Sequence, residues 1–394
     1  MLIKHYLNQG CKKVKKIGII THYYKSNNYG GLLQAFALCK LLTKYGYSAE
    51  QICYDTTSSP YYTQGISDSK IYAVKGIIKN KLSSIYHKFV DRNIHKKIYL
   101  RNSAIAKFAQ RIPHSTTIYT DSTIKESNGT YDVFITGSDQ VWNLDWYFPA
   151  YFLDFVEKDK PKISYAASIS KDTLSEVQKE IIKNHLLDYK AISVRELSSV
   201  ELISDFANVD VKWVLDPTLL LTAEEWESIC SERDITEKYI FCYFLGEDSQ
   251  ARHLAEEYAR KHSLKVVTIP YLSGHYRKCD GDFGDIQLFD VDPGKFITLI
   301  KDAEVVFTDS FHATVFSNIF KKQYYTFERS GFTSMSSRIF SLIKLFQSET
   351  HFCNSDEKKT FSYIESIAPI DYSMEQVLYN EMKDLSLKFL LENI

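Results

Sequence analysis

Two α/β domains, each built on a parallel sheet, are predicted by three observations. Short β-branched or aromatic runs alternate with stretches of helical spacing, the pattern of strand and helix units wound in one sense. The 394 residues exceed what one hydrophobic core usually organises, so two domains are expected. And residues 304–320 show the unit in miniature: a buried strand over 305–307 runs directly into a helix with apolar Val315, Phe316, Ile319 and Phe320. The turn between them carries Thr308, Asp309, Ser310 and His312, so a hydroxyl or carboxylate caps the helix at the carboxyl edge of the sheet, where α/β proteins bind anions. A histidine there is either a partly buried imidazole satisfied by a carbonyl or a general acid and anion ligand.

In chain order, 17–21 reads as the first buried strand and 32–42 as a helix stopped by Gly46. Between them Asn28, Gly30 and Gly31 form a turn in which backbone can approach a ligand closely, or which is simply tight. It lacks the spacing of a dinucleotide fingerprint and the lysine of a P-loop. Over 70–111 lysine and arginine recur while Asp91 is the only acid. Ile71, Val74, Ile78, Leu82, Ile85 and Phe89 keep helical steps, giving an amphipathic helix with a basic face. It suits either an anionic bilayer or a solvated insertion packed on its own domain.

The strand over 131–136 ends in Gly137-Ser138-Asp139-Gln140, which puts Asp139 where a doubly wound sheet presents working side chains; the alternative is a turn cap. Strands over 163–167 and 191–194 follow, separated by a helical stretch, and the second ends in Arg195-Glu196. Arg195 offers a fork for carboxylate or phosphate, or an ion pair with Glu196 or a surface carboxylate. Residues 213–218, with Pro217, read as the hinge, and Thr222 starts a fresh helix with Glu224 and Glu225 in its first turn. Strands over 239–244, 264–269, 305–307 and 324–327 alternate with helices over 248–262, after Pro293 and after Ser310, predicting a second parallel sheet. The predicted division is therefore 1–212, with a basic insertion near 70–111; 213–373; and a terminal helix, 374–394, that packs back on the first domain. Two such domains leave a cleft between carboxyl edges, with Asp139 and Arg195 on one wall and His312 on the other. The loop over 328–337, flanked by Arg329 and Arg338, either adds cations to it or is plain surface.

Composition narrows the classes. Hydrophobic residues at 44% and charged residues at 25% describe an ordinary globular chain, and a net charge of -1 gives no reason to bind nucleic acid. Cys11, Cys39, Cys53, Cys230, Cys242, Cys279 and Cys353 form no Cys-x-x-Cys pair, as expected of reduced thiols in the cytoplasm, and no ligand cluster for a metal is evident. The first 16 residues lack the pattern of a signal peptide, and nowhere do about 18 apolar residues run unbroken.

With these residues in hand, the chain resembles the polysaccharide pyruvyl transferase family over nearly its whole length. The matching segments are Asn28-Tyr29-Gly30-Gly31-Leu32-Leu33-Gln34, Phe134-Ile135-Thr136-Gly137-Ser138-Asp139-Gln140-Val141-Trp142-Asn143, Ile192-Ser193-Val194-Arg195-Glu196, Leu215-Asp216-Pro217-Thr218 and Thr308-Asp309-Ser310-Phe311-His312. The resemblance implies a fold similar to the GT-B glycosyltransferases and transfer of a pyruvyl group from phosphoenolpyruvate (PEP) to a sugar diol as a cyclic ketal, with no cofactor beyond that donor. It implies His312 and Asp139 as the acid and base, in either order. Arg195 would bind PEP, with Ser310, Phe311 and Arg338 as further donor contacts and Asn28, Gly30 and Gly31 as acceptor or loop contacts. Family members often carry an arginine where Ser310 stands; Arg338 and Arg329 are the candidates to replace its charge. The acceptor expected is a precursor of a surface polysaccharide, and a lipid-linked one at the inner face of the membrane would suit the basic stretch. The competing readings are a GT-B glycosyltransferase using a nucleotide sugar and a non-catalytic sugar-binding relative.

Overall fold

The computed structural model describes residues 14–62, 92–272, 277–329, 336–373 and 376–394. The chain forms two compact units: Met1–Val74 with Ala109–Leu221 and Met382–Ile394, and Lys75–Phe108 with Thr222–Glu381. Both are α/β, with parallel sheets.

The first unit holds strands β1 (Lys16–Ile20), β2 (Ser48–Tyr54), β3 (His114–Tyr119), β4 (Val133–Thr136) and β5 (Lys162–Ser164), ordered β3-β2-β1-β4-β5, every neighbour parallel. β1 is central, with Ile17 opposite both Ala49 and Val133, and its Ile17, Ile19 and Ile20 have no exposure. A parallel pair, β6 (Ile192–Val194) and β7 (Val211–Trp213), continues beyond β5 through single bridges from Ile163 to Ala191 and from Ala167 to Val194. Helix α1 (Tyr29–Lys44) begins at the glycine pair, three residues earlier than helical spacing predicts, because Asn28 caps it by accepting from the Gly31 N–H at 3.3 Å. The basic helix expected over 70–89 lies outside the described residues; the stretch that follows it is helix α2 (Arg92–Ala109), whose residues 92–108 group with the second unit. Among the described residues no helix is long and apolar enough to cross a membrane.

The segment read as a hinge, 213–218, belongs to the first unit, which runs to Leu221 and not to 212. Its opening residue ends β7, and Asp216 caps the short 3-10 turn Pro217–Leu220 by accepting from the Thr218 N–H. The second unit opens at Thr222, which makes a reciprocal capping box with Glu225 at the head of helix Ala223–Glu227. Its strands are β8 (Tyr239–Tyr243), β9 (Lys265–Thr268), β10 (Ile286–Gln287), β11 (Val305–Thr308), β12 (Gln323–Phe327) and β13 (Phe352–Cys353), in the order β10-β9-β8-β11-β12-β13, again all parallel. The final helix, Val377–Asn393, starts in the second unit and ends in the first, where Ser386 Oγ accepts from the buried Leu215 N–H at 2.9 Å.

Beside β12, His351 is buried, its ring stacked on Tyr325 at 5.5 Å between centroids, and burial holds its imidazole down at about 4. The ordinary value is 6.5, so between pH 6.5 and 4 the unfolded chain binds a proton that the folded chain refuses, and stability is lost as pH falls through that window. We expect His351→Leu to remove about 2–3 kcal/mol of this acid sensitivity, read as the difference between urea-unfolding free energies at pH 7 and pH 4.5 for the two proteins.

Candidate functional site

In the first sheet the chain winds outward in both directions from the neighbours β1 and β4, which makes the gap past their carboxyl ends the switch point where such sheets bind ligands. Several of the singled-out segments meet there. Gln34, one turn into α1, donates through Nε2 to Thr21 Oγ1 at 3.1 Å and accepts through Oε1 from the Ser138 N–H at 3.0 Å. Thr21 Oγ1 donates to Ser138 O at 2.7 Å. The turn after β4 is thus pinned to the strand and helix beside it. His22 adds a contact between Nε2 and Gln140 O at 3.2 Å, its ring edge-on to Tyr151 at 4.5 Å.

Asp139 stands at the centre of this arrangement with a left-handed φ of 74°, its carbonyl accepting from the Val141 and Ser168 N–H groups at 2.8 and 2.9 Å. Two glycines shape its surroundings. Gly137 has φ 108° and a Cβ there would lie 2.3 Å from Tyr165 O; at Gly31 a Cβ would lie 3.2 Å from Asp139 Oδ2. Gly31 therefore borders the Asp139 carboxylate, with the exposed Asn28 capping the same helix start.

Arg195 pairs with Glu196, one of the alternatives raised for it, and with buried rather than surface carboxylates beside it. Its side chain is 2% exposed; Nη1 donates to Asp216 Oδ2 at 2.9 Å, Nε to Glu196 Oε1 at 3.2 Å, and Nη2 lies 3.8 Å from Asp139 Oδ1. Burial alone would lower the guanidinium pKa, but Glu196, Asp216 and Asp139 outweigh it and raise the value. Ser138 Oγ lies 2.8 Å from Ala166 O and 3.0 Å from Asp216 Oδ2, so its single proton serves one of them at a time. Three carboxylates around one guanidinium leave an excess of negative charge, which opposes an anionic ligand and suits hydroxyl groups.

The second unit has the same kind of switch point, between β8 and β11. There Asp309 is held by backbone and faces an arginine: Oδ1 accepts from the Leu245 N–H and Oδ2 from the Gly246 N–H, both at 2.6 Å, and Arg329 Nε lies 3.7 Å from Oδ2. Ser310 caps the helix Phe311–Ile319 through the Ala313 N–H at 3.4 Å, which makes Phe311 and His312 its first two residues. Their rings sit edge-on at 5.1 Å, and both side chains are largely buried. Arg329 lies against the same turn, donating through Nη2 to Asp309 O at 3.1 Å. Arg338 is buried on the helix Ser336–Leu345, which packs on Phe311–Ile319. Residues 330–335 of the loop between these arginines lie outside the described residues.

The structure thus gathers Gly31, Asp139 and Arg195 in the first unit, with Asn28 bonded to Gly31, and Ser310, Phe311, His312 and Arg329 in the second. The sequence reading missed Gln34, Ser138, His22 and above all Asp216 as parts of the first cluster. Asking which carboxylate could neutralise a buried arginine would have pointed to Asp216, the one acid in a segment already singled out.

A family model described as polysaccharide pyruvyl transferase matches residues 28–330. No curated protein matches. Among solved structures, Staphylococcus aureus MnaA with UDP is similar at 11% identity and a TM-score of 0.50, over 94% of this chain and 91% of that one. A putative UDP-N-acetylglucosamine 2-epimerase from Listeria monocytogenes is similar at 8% identity and a TM-score of 0.49, over 96% and 91%. At such identity the likeness to MnaA shows the fold alone, a two-domain α/β fold of the GT-B kind.

Gly137→Ala should cost about 2–4 kcal/mol, since it combines a left-handed residue with a backbone clash. Urea unfolding beside Gly129→Ala, where a Cβ meets nothing within 4 Å, checks this; equal midpoints would mean that the turn does not need its glycine.

Proposed function

Since the chain belongs to the polysaccharide pyruvyl transferase family, we propose that it transfers a pyruvyl group from PEP to two hydroxyls of one sugar in a surface-polysaccharide precursor. The product is a cyclic pyruvate ketal, and phosphate is released. The observation that carries this reading is the reach of the family match, residues 28–330, which takes in Asp139 and Arg195 of the first unit and Ser310, Phe311 and His312 of the second.

The chemistry asks for one proton donor and one acceptor. Protonation of the PEP methylene carbon makes its neighbour electrophilic; one sugar hydroxyl attacks there and loses its proton; phosphate departs; the second hydroxyl closes the ring and loses its own. His312 is assigned the proton to carbon and assistance to the leaving phosphate, and Asp139 the hydroxyl proton. The donor's anionic groups fall to the second unit, where the N–H groups that open the helix at Phe311 and His312, with Arg329 beside them, favour negative charge. Arg338, buried on the neighbouring helix, is the further cation. The acceptor's hydroxyls fall to the first unit, beside Asp139, Asn28 and Gly31. Arg195, expected as a PEP ligand, is already ringed by carboxylates, which favours a supporting role over direct contact with the donor.

Titration of the purified protein with PEP, beside a panel of nucleotide sugars, tests the reading: saturable PEP binding is expected, and binding of a nucleotide sugar in its place would make the protein a glycosyltransferase. His312→Ala should lower phosphate release from PEP by about 10²–10⁴-fold in the presence of an acceptor, with the thermal midpoint little changed; undiminished release would remove His312 from the mechanism.

A further inference from the structure

The Asp216 carboxylate has no exposure, lies 21 residues beyond Arg195 in the chain, and bonds both Arg195 and the residue before Asp139. Its Oδ2 accepts from Arg195 Nη1 at 2.9 Å and shares the Ser138 Oγ proton, 3.0 Å away, with Ala166 O, while Oδ1 is taken by the Thr218 N–H and hydroxyl at 3.0 and 2.6 Å. Both oxygens are therefore fixed, and the carboxylate cannot rotate without breaking bonds on either side. Through Arg195 it controls the only guanidinium shown to approach Asp139 among the described residues, and through Ser138 it holds the peptide on which Asp139 is mounted.

We propose that Asp216 is the positioning residue of the first unit's site, dividing the hydrogen bonds of Arg195 so that Nη2 orients Asp139 without binding it. The proposal rests on the reading of Asp139 as a base for an acceptor hydroxyl. Its logic is competition for one cation. An arginine paired with Asp139 alone would make a tight salt bridge and a poor proton acceptor. With Nη1 drawn to Asp216 at 2.9 Å and Nε to Glu196 at 3.2 Å, Nη2 stays 3.8 Å from Asp139, close enough to orient the carboxylate and too far for a hydrogen bond. Other groups also face Asp139. Tyr151 is a neutral phenol whose pKa is raised by burial and then by Asp139 itself. His22 Nε2 is turned to Gln140 O. Gly31, from α1, brings no charge.

The test reads the Asp139 carboxyl directly, in the whole protein labelled with ¹³C at aspartate side chains, the resonance being assigned by its loss in Asp139→Asn. Asp216→Asn should move the Asp139 midpoint to lower pH, because Arg195 is released toward it and a neighbouring negative charge is gone. Arg195→Gln should move it up. Glu196→Gln, which frees Nε but leaves the Ser138 link intact, should move it down by less than Asp216→Asn does, and it keeps the test alive if a variant at 195 or 216 fails to fold. Midpoints that stay within a few tenths of a pH unit in the folded variants would overturn the proposal, leaving Asp216 a purely structural anchor, as would a downward shift with Arg195→Gln. Because this titration needs no substrate, it stands apart from the transfer reaction: a protein that releases no phosphate from PEP yet shows these shifts would refute the proposed function and leave the coupling of Asp216 to Asp139 intact.

Discussion

The buried ion pair between Asp216 and Arg195 is the constraint on which the first unit's site depends. Separating such a pair by removing one partner costs on the order of 3–5 kcal/mol, because the survivor is left charged and out of water. That penalty makes the neighbourhood rigid in a particular way. Ser138 is fixed between Asp216, Ala166 and Gln34, and Asp139 follows it in a left-handed conformation that a non-glycine residue keeps only when its surroundings insist. The carboxylate thus faces Gly31 on one side and a divided cation on the other.

The two units solve the same architectural problem with opposite chemistry. Each places an aspartate just past the strand that flanks its switch point, Asp139 after β4 and Asp309 after β11. Asp309 is bound by two backbone N–H groups, so it serves to fasten the loop after β8 to the start of the helix at Phe311. Among the described residues the Asp139 carboxylate is shown with no such backbone bonds, and Arg195 Nη2 lies 3.8 Å from its Oδ1. One edge therefore gathers negative charge on side chains, whereas the other uses its carboxylate as a rivet and presents a helix start, a histidine and an arginine.

Most strands were legible, because buried parallel strands are nearly continuous apolar runs: β1, β4, β8, β11 and β12 lie where such runs predict them, and the helix starts at Thr222 and Ser310 follow from capping residues. Strands β2 and β3 escaped, since Ser-Ala-Glu-Gln and His-Ser-Thr-Thr interrupt the apolar signal; β10 and β13 are two residues long; and β7 was missed, its last residue, Trp213, being read into a hinge because Pro217 follows so soon. The candidate site was legible as a set of segments and not as a network. Asp139, Arg195 and His312 stood out by their place after strands, but the bond from Ser138 to Gln34 spans 104 residues and that from Ser138 to Asp216 spans 78, and nothing in local spacing announces either. Arg195 misled for a related reason: a guanidinium at a strand end reads the same whether it awaits a ligand or already holds carboxylates.

The return of the last helix to the first unit bears on how such proteins can be recombined. The first cluster draws the partners described above from residues 21 to 216, so an exchange of chain just beyond Leu221 would carry it over whole. Yet Met382–Ile394 would then come from the other parent, and the Leu215 N–H, one residue before Asp216, would face whatever that parent places at Ser386. Inheritance of this site by shuffling therefore takes two junctions, near 221 and near 381, and chimaeras made with one would be selected first on how well two foreign helix ends fit beneath the same aspartate.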